Sequence, residues 1–384
     1  MSERAIPVDA RSAAAASRLT VNVEGYLTSC TGQGAAARLY VEALRAAGVE
    51  VITTNVEIDE VLPGAVLPEL PEEDRIELQA PGPPELNLLC VNGLELGVFA
   101  AKRGQGYFAE RPTVGVWAWE TDAVPELMRS SAGMLREVWV YSEWVAQNLG
   151  PALEAPVAAV PLPVVAPQAS GRLGLELPED FLFLFVFDLF STMQRKNPLG
   201  LITAFRRAFR EGEGPRLVLK TMNGTRRPGA LRRLEEAADG RSDIVVIDRL
   251  LSEAEKTALF ARCDCYVSLH RSEGFGITAA EAMLRGKPVV ATGYSGTREF
   301  MTPDNSFLVD YRVTPVGPRG ELYPSEGRWA EPDLDHAAAL MHQVWEQPDE
   351  ARRRGELGRR TIEQNLSPAA VGRRARERLE AISG

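Results

Sequence analysis

Residues 265–283 read CYVSLHRSEGFGITAAEAM, and the stretch divides into three parts with different patterns. Its first part, Cys265–Leu269, is a short apolar run of the kind that forms strands buried in parallel sheets. The middle part contains Gly274 and Gly276, which allow a sharp turn and a close approach of the backbone to a ligand. The last part has a helical pattern. The stretch therefore predicts a strand that turns into a helix at the carboxyl edge of an open α/β sheet, where ligands bind.

The same alternation of apolar runs and amphipathic segments extends through the chain and predicts two βαβ series in succession. Each such series forms a doubly wound α/β domain, so we expect two of them. One helical pattern covers Ala35–Ala47, and another covers Glu253–Ala261, opened by the capping box of Ser252 and Glu255. The twelve apolar runs that we predict to be strands are Leu19–Val23, Val49–Thr53, Leu86–Val91, Thr113–Trp117, Glu137–Tyr141, Val157–Val160, Phe181–Phe187, Leu217–Lys220, Ile244–Ile247, Cys265–Leu269, Pro288–Ala291 and Phe307–Val309.

A segment rich in proline and glycine, Pro161–Leu177, lies between the two series and has the composition of a linker. We therefore expect an N-terminal domain over residues 1–165 and a C-terminal domain over residues 166–367. A second segment of this composition, Tyr311–Pro332, is the longest irregular stretch of the chain. We expect it to be a loop that overhangs the ligand cleft and helps to define the acceptor, because long loops in compact domains are usually functional.

The composition excludes several classes of protein. Of the 384 residues, 45% are hydrophobic and 25% are charged, as in an ordinary soluble globular protein. The net charge of −10 argues against nucleic-acid partners, which need a basic face for phosphate contacts. The four cysteines show neither a disulfide framework nor the spacing of a zinc site. Residues 1–17 lack the apolar run of a signal peptide and no stretch has the length of a transmembrane span, so we expect a cytoplasmic protein.

Two glutamates of the opening stretch, Glu273 and Glu281, are candidate binding residues. They are eight residues apart, about two helical turns, so we expect them on the same face. Carboxylates of this kind hold pairs of sugar hydroxyls through charge-assisted hydrogen bonds. The competing interpretation is a tight strand-to-helix turn with two solvated glutamates, and the complete string with its glycines favours the binding site.

Two adjacent cations, Arg195 and Lys196, follow the strongly apolar run Phe181–Phe187. At the carboxyl edge of a sheet such a pair suits a diphosphate, although a basic pair is also common at a solvated helix start. In the first half of the chain, Gly32 and Gly34 stand where a loop becomes a helix. This weaker pattern fits either a loop that faces a phosphate or an ordinary helix N-terminus.

Residues 272–283 resemble the Glu–seven residues–Glu motif of the retaining glycosyltransferases of family 4, which have the GT-B fold of two Rossmann-like domains facing across a cleft. Residues 264–268, 286–292 and 296–299 are similar to the same family. The resemblance implies metal-independent transfer of a hexosyl group from a nucleotide-diphosphate sugar, with retained configuration and no cofactor. The implied acceptor is a hydroxyl of a glycan, a lipid-linked molecule or a small molecule. In related folds the C-terminal helix, here residues 368–384, packs back on the first domain.

The resemblance also implies roles for individual residues. Glu273 is expected to hold hydroxyls of the donor sugar and Glu281 to hold the ribose. Arg195 and Lys196 are expected to bind the pyrophosphate and to neutralise charge on the leaving nucleotide, so that no metal is required. The other residues expected at the nucleotide sugar are Gly32, Gly34, Ser191, Arg249, Leu250, Gly274, Phe275, Gly276, Ile277 and Thr278.

The segment Trp117–Asp122 departs from the family, because many members carry a histidine near this point and this chain has none. Glu120 is our candidate for the missing group, as a ligand of the sugar or the acceptor. Trp117 and Trp119 either stack on sugar faces, or one of them is core and the other covers the rim of the cleft.

Two further polar features have a structural interpretation. Asp333 and Asp335 have the spacing of a metal-binding pair, but they precede a helix and fit better as its cap. We expect His270 to pack or to form hydrogen bonds beside the loop that holds Glu273.

Two other functions remain open on the sequence. One is a catalytically degenerate protein that binds a nucleotide sugar, and the intact set of Glu273, Glu281 and the Arg195–Lys196 pair argues against it. The other is a nicotinamide-dependent oxidoreductase, because residues 32–37 depart only mildly from the dinucleotide-binding fingerprint. However, no acidic residue ends Val49–Thr53, where ribose recognition requires one.

Overall fold

The computed structural model describes residues 19–61, 68–79, 83–104, 106–165, 177, 179–318 and 320–383, and this part of the chain is an α/β protein. Its strands are β1 (Thr20–Gly25), β2 (Glu50–Asn55), β3 (Leu86–Cys90), β4 (Thr113–Trp117), β5 (Glu137–Val140), β6 (Val157–Ala159), β7 (Leu182–Val186), β8 (Arg216–Thr221), β9 (Ile244–Asp248), β10 (Cys265–Ser268), β11 (Val289–Thr292), β12 (Phe307–Val309), β13 (Tyr311–Pro315) and β14 (Arg328–Pro332). Its helices are α1 (Gly32–Ala46), α2 (Gly93–Arg103), α3 (Gly106–Glu110), α4 (Glu126–Ala132), α5 (Glu143–Leu149), α6 (Met193–Lys196), α7 (Pro198–Ala208), α8 (Pro228–Ala238), α9 (Glu253–Arg262), α10 (Ile277–Leu284), α11 (Leu334–Glu346), α12 (Pro348–Asn365) and α13 (Pro368–Ser383).

Two parallel sheets of six strands organise the molecule. The first has the order β2-β1-β3-β4-β5-β6, and the second has the order β12-β11-β10-β7-β8-β9. The strands predicted from the sequence correspond to β1–β12, with end points that differ by at most two residues. The order reverses between β1 and β3 in one sheet and between β7 and β10 in the other. Doubly wound sheets bind their ligands at the carboxyl ends of the strands that flank such a reversal.

The apolar runs form strands because helices cover both faces of each sheet. Every residue of β3, β4, β5, β10 and β11 is buried. Strands in this position need apolar side chains on both faces, which explains why the runs are continuous and do not alternate with polar residues.

The segment 311–332 is not the irregular loop that we expected from its composition. Tyr311–Pro315 and Arg328–Pro332 pair as an antiparallel hairpin, with Val313 opposite Ala330. The two prolines lie at strand ends, where a missing N–H is tolerated. The pairing of Tyr, Val and Trp residues across the hairpin outweighs the turn-forming composition, which is confined to the connection between the strands.

The last helix, α13, packs along α1 of the first sheet. Gly372 permits the close approach, because a Cβ at this position would lie 2.0 Å from the carbonyl oxygen of Ala43. Arg378 of α13 binds both carboxylate oxygens of Glu137 in β5. The predicted linker lies largely outside the described residues, so the boundary between the two domains stays a prediction.

None of the helices in the described part of the chain has the length and apolar character needed to cross a lipid bilayer.

Candidate active site

The chain segments that follow β7 and β10 meet where the order of the second sheet reverses. The first segment contains Arg195 and Lys196, and the second contains Glu273 and the glycine turn. A hydrogen bond from the N–H of Arg271 to the carbonyl of Arg195 (2.7 Å) joins the two segments. Two stretches that are about 80 residues apart in the sequence therefore form one structural unit.

The carboxylate of Glu273 lies between two cations. Its Oε1 accepts a hydrogen bond from Nζ of Lys196 at 2.5 Å, and its Oε2 accepts one from Nη1 of Arg195 at 3.1 Å. Glu273 is only 8% exposed and Arg195 only 6%. Burial alone would raise the pKa of Glu273, but the two cations outweigh it and lower this pKa to about 2. The carboxylate is therefore ionised throughout the physiological range.

Asn197 explains how the short helix α6 presents its two cations. Asn197 has a left-handed backbone (φ 55°), ends α6 and caps α7 through a hydrogen bond to Gly200 N–H. Its amide also donates to the carbonyl of Leu269 at the end of β10 (2.9 Å). The residue thus anchors the turn after β7 to the neighbouring strand. Sequence analysis did not identify it.

Several buried polar atoms beside this turn lack a partner within the described residues. They are Nε of Arg195, Oγ1 of Thr192, Oγ of Ser272 and Nε2 of His270. His270 is fully buried, its Nδ1 lies 3.0 Å from Oγ of Ser268, and burial lowers its pKa to about 4. His270 is therefore neutral and lies beside the Glu273 loop, as expected. Unpaired groups of this kind are where polar ligands bind.

The glycine turn opens α10 towards the same place. Gly276 has a φ of +90°, and a Cβ at this position would lie 2.6 Å from Cγ2 of Thr297. Only glycine fits there without strain. Ile277 and Thr278 form the first turn of α10 and Phe275 is buried against Phe300.

Glu281 belongs to a second charged cluster, on the β8 and β9 side of the site. Its Oε1 accepts a hydrogen bond from Nζ of Lys256 in α9 at 2.9 Å. Lys256 also pairs with Glu253 at 2.8 Å. Sequence analysis did not identify Lys256, since it looks like an ordinary cation on a helix. Glu273 and Glu281 thus have separate cationic partners.

The residues expected to contact the base follow β9. Arg249 pairs with Glu255 at 2.5 Å, and the side chain of Leu250 is exposed. Ser191 lies in the segment after β7, between Asp188 and the Arg195–Lys196 pair.

Glu120 of the first domain reaches the Arg195 cluster. Its Oε1 lies 3.8 Å from Nη2 of Arg195, and its Oε2 accepts a hydrogen bond of 2.7 Å from the hydroxyl of Tyr323. Tyr323 lies in the connection of the β13–β14 hairpin. Trp117 and Trp119 are both buried, so neither presents a face to a sugar. The expectation of a core tryptophan is confirmed, but neither side chain covers the rim of the cleft. Trp119 instead packs against Tyr323.

The two glycines at the start of α1 have different roles. A Cβ at Gly34 would lie 2.5 Å from the carbonyl oxygen of Tyr26, so the packing of the loop requires glycine there. A Cβ at Gly32 would meet nothing within 4 Å, and this residue is exposed. The helix start at Gly32 is therefore accessible to a ligand, while Gly34 is explained by the fold.

Comparison with known proteins connects this arrangement to one family. Residues 180–315 match the family model of the group 1 glycosyl transferases. The MMP α-(1→4)-mannosyltransferase of Mycolicibacterium hassiacum is 34% identical over 123 residues, which cover 32% of this chain and 25% of that relative. The chain therefore matches about a quarter of the length of this curated relative.

Solved structures resemble the whole chain. Sucrose-phosphate synthase of Thermosynechococcus elongatus has a TM-score of 0.68 at 16% identity, with 95% of this chain and 99% of that chain covered. The HepE protein of Anabaena in complex with UDP and glucose has a TM-score of 0.63 at 14% identity, with 95% and 100% covered. A glycosyltransferase of Rickettsia africae has a TM-score of 0.64 at 13% identity, with 95% and 99% covered. These likenesses establish the fold as GT-B.

Proposed function

We propose that this chain is a glycosyltransferase that moves a hexosyl group from a nucleotide-diphosphate sugar to an acceptor hydroxyl with retained configuration. The match of residues 180–315 to the model of the group 1 glycosyl transferases and the GT-B fold support this proposal. The observation that carries the proposal is the buried cluster of Glu273, Arg195 and Lys196 at the reversal of the second sheet.

The cluster supplies the two kinds of contact that glycosyl transfer needs. Glu273 is ionised and accepts hydrogen bonds from hydroxyls of the donor sugar, which orients the anomeric carbon. Arg195 and Lys196 bind the diphosphate next to that carbon. As the bond between the anomeric carbon and the phosphate oxygen breaks, they stabilise the negative charge that develops on the leaving group. These cations supply the charge compensation for which other enzymes use a divalent metal.

The acceptor attacks from the side on which the nucleotide leaves, so the configuration is retained. The acceptor oxygen forms the new bond to the anomeric carbon, and its proton passes to the released β-phosphate. Glu120 faces the same cluster from the first domain, 3.8 Å from Arg195, and serves as a ligand of the sugar or acceptor. Glu281 holds the ribose, with Lys256 fixing its carboxylate.

The experiment is a thermal-shift panel of UDP-, GDP-, dTDP- and ADP-sugars in buffer with EDTA, followed by a turnover assay with the donor that stabilises. We expect one nucleoside diphosphate and its sugar to raise the unfolding temperature in EDTA, because Arg195 and Lys196 provide the positive charge.

Loss of donor binding in EDTA would contradict metal independence. Stabilisation by a nicotinamide dinucleotide in place of a nucleotide sugar would favour an oxidoreductase. Tight donor binding without transfer or hydrolysis of the sugar would indicate a catalytically degenerate binder.

A further inference from the structure

Lys220 at the carboxyl end of β8 is a buried cation that the function described above does not use. It is 6% exposed and lies beside β7, with Val186 and Ile247 as its strand neighbours. Its backbone is paired in the sheet, but its ammonium group forms no hydrogen bond and no ion pair with any residue in the described part of the chain. The other buried cations of the site differ in this respect, because Arg195, Lys196 and Lys256 each have a carboxylate partner.

The carboxylates near Lys220 have other hydrogen-bond partners. Asp188 and Asp248 favour the ammonium form and Lys256 opposes it, but both aspartates already accept hydrogen bonds elsewhere, Asp188 from Phe190 and Asn223, Asp248 from Gly224. Burial is the largest effect and lowers the pKa of Lys220 to about 8. An ammonium group that is buried without a partner is costly unless an anion joins it.

The segment that leads into α1 lies near Lys220. Cys30, two residues before this helix, is close enough for its charge to interact with that of Lys220. Among the described residues, no acceptor pairs with the N–H groups of Gly32 and Gln33. The first turn of this 15-residue helix therefore directs unpaired N–H groups and the positive end of its dipole into the cleft that holds Lys220.

The strand order indicates which part of the donor this position meets. In the second sheet, Glu273 follows β10, Arg195 and Lys196 follow β7, and Lys220 ends β8. Moving from β10 to β8 leads away from the residue proposed for the sugar and towards β9, after which the base is expected. Lys220 thus lies on the nucleoside side of the Arg195–Lys196 pair.

We propose that Lys220 binds the phosphate group nearest the nucleoside, the α-phosphate of the donor, opposite the start of α1 that the family resemblance already assigns to the nucleotide sugar. Arg195 and Lys196 then hold the phosphate next to the sugar, and the diphosphate is bound from both domains. This inference rests on the proposed function, since it assigns a further contact to the same donor.

The test compares Lys220→Met with Lys220→Arg by calorimetric titration of UDP, UMP and uridine, or the same series for the base that the donor panel selects. We expect Lys220→Met to weaken binding of the diphosphate and the monophosphate by about tenfold to hundredfold, the size of a lost charge-assisted hydrogen bond. Binding of the nucleoside is unchanged. Lys220→Arg restores most of the affinity, and Lys102→Met, in the last turn of α2, is the matched control without effect.

A pH series provides a readout that does not depend on the Met variant folding. Anion binding raises the pKa of Lys220, so above about pH 7, where the phosphate of UMP is fully ionised, the affinity of the wild type for UMP is constant up to about pH 8 and falls as the pH rises further. Burial raises the pKa of Cys30 and its neighbours raise that of Lys256, so neither changes charge at the onset of this fall. Lys220→Arg keeps its affinity through this range.

Equal pH profiles for the wild type and Lys220→Arg overturn the proposal, as does wild-type affinity of Lys220→Met for UDP and UMP. Both results leave the proposed function intact, because the nucleotide still binds. If no nucleoside diphosphate binds the wild type, the proposed function itself fails and this site fails with it.

Discussion

Single residues in this site acquire their properties from the charges buried with them. The carboxylate of Glu273 has two cationic partners, and these hold its pKa at about 2 despite its burial. Glu281 shares Lys256 with Glu253, and the side chain of Glu281 is also largely buried. The two glutamates of the motif look equivalent in the sequence, but they belong to separate charged clusters, in keeping with the separate roles proposed for them.

This separation predicts different effects for Glu273→Gln and Glu281→Gln. We expect Glu273→Gln to lower kcat by tenfold or more, because the carboxylate of Glu273 orients the sugar as the anomeric carbon flattens. The affinity of this variant for the nucleoside diphosphate should stay nearly unchanged. Glu281→Gln loses a charge-assisted contact to the ribose, worth about 1.5–3 kcal/mol, and weakens that affinity. Calorimetry with the diphosphate and steady-state rates measure the two effects.

The control for this pair is Glu253→Gln. It removes the other carboxylate partner of Lys256, on a side chain that is mostly exposed, and we expect little change in either quantity. Equal losses of affinity in Glu273→Gln and Glu281→Gln would contradict separate roles.

Sequence analysis identified the residues whose position at a strand end marks them, and it missed those whose role depends on a contact or on the lack of one. Arg195 and Glu273 were predicted because each follows an apolar run, and strand ends meet at one edge of a parallel sheet. Lys220 also ends such a run, but its significance depends on the absence of a partner, which only the packed structure reveals. Tyr323 was missed because its contact with Glu120 joins residues 203 positions apart.

At the scale of elements, the hairpin β13–β14 connects the second domain to the first. Val316, Tyr323 and Trp329 pack in the same apolar cluster as Trp117 and Trp119 of the first domain. Arg328 of β14 pairs with Asp122 at 2.6 Å. The expected overhanging loop is therefore an ordered hairpin whose connection reaches Glu120. Its strands could not be predicted because β13 is mostly exposed and lacks an apolar run.

Tyr323→Phe tests whether this element serves the acceptor. The change removes the hydroxyl that fixes Glu120, a neutral-to-charged hydrogen bond worth about 1.5–3 kcal/mol, and keeps the packing against Trp119. We expect kcat/KM for the acceptor to fall by about tenfold or more, while the affinity for the nucleoside diphosphate stays within about twofold.

Tyr311→Phe is the matched control on the same hairpin. The hydroxyl of Tyr311 has no hydrogen-bond partner within the described residues, and its side chain is exposed. If both variants lower kcat/KM for the acceptor equally, the hydroxyl of Tyr323 has no special role in holding Glu120.

At the scale of the whole molecule, the two sheets turn their carboxyl edges towards each other. The contacts between the two edges follow the strand order of both sheets. A ligand that lies along the edge of the second sheet therefore contacts the loops of the first sheet in the order of their strands. From one side of the cleft to the other, the facing pairs are Glu120 with Arg195, Ser142 with Gly274, and Glu143 with Glu299.

The C-terminal helix binds a buried carboxylate of the first domain in addition to packing along α1. Glu137 in β5 is 6% exposed, and it accepts hydrogen bonds from Trp139 Nε1 (2.6 Å) and from Arg378 of α13. The chain thus leaves the first domain after β6, builds the second, and returns to contact β5 and α1. The first domain is complete only when the last sixteen residues of helix are in place.

The contact between α13 and Glu137 predicts that Arg378→Met destabilises the protein without affecting donor binding. The change leaves the Glu137 carboxylate buried with Trp139 as its remaining partner, which costs about 1–3 kcal/mol. We expect the unfolding temperature to fall by several degrees. The affinity for the nucleoside diphosphate is unchanged, because α13 contacts α1 near Ala43 and Ala47, at the opposite end from Gly32. Glu380→Gln is the control, since its ion pair with Arg376 is exposed and contributes less than about 1 kcal/mol. Equal shifts in the two variants would mean that exposed contacts, and not the buried carboxylate, attach the helix.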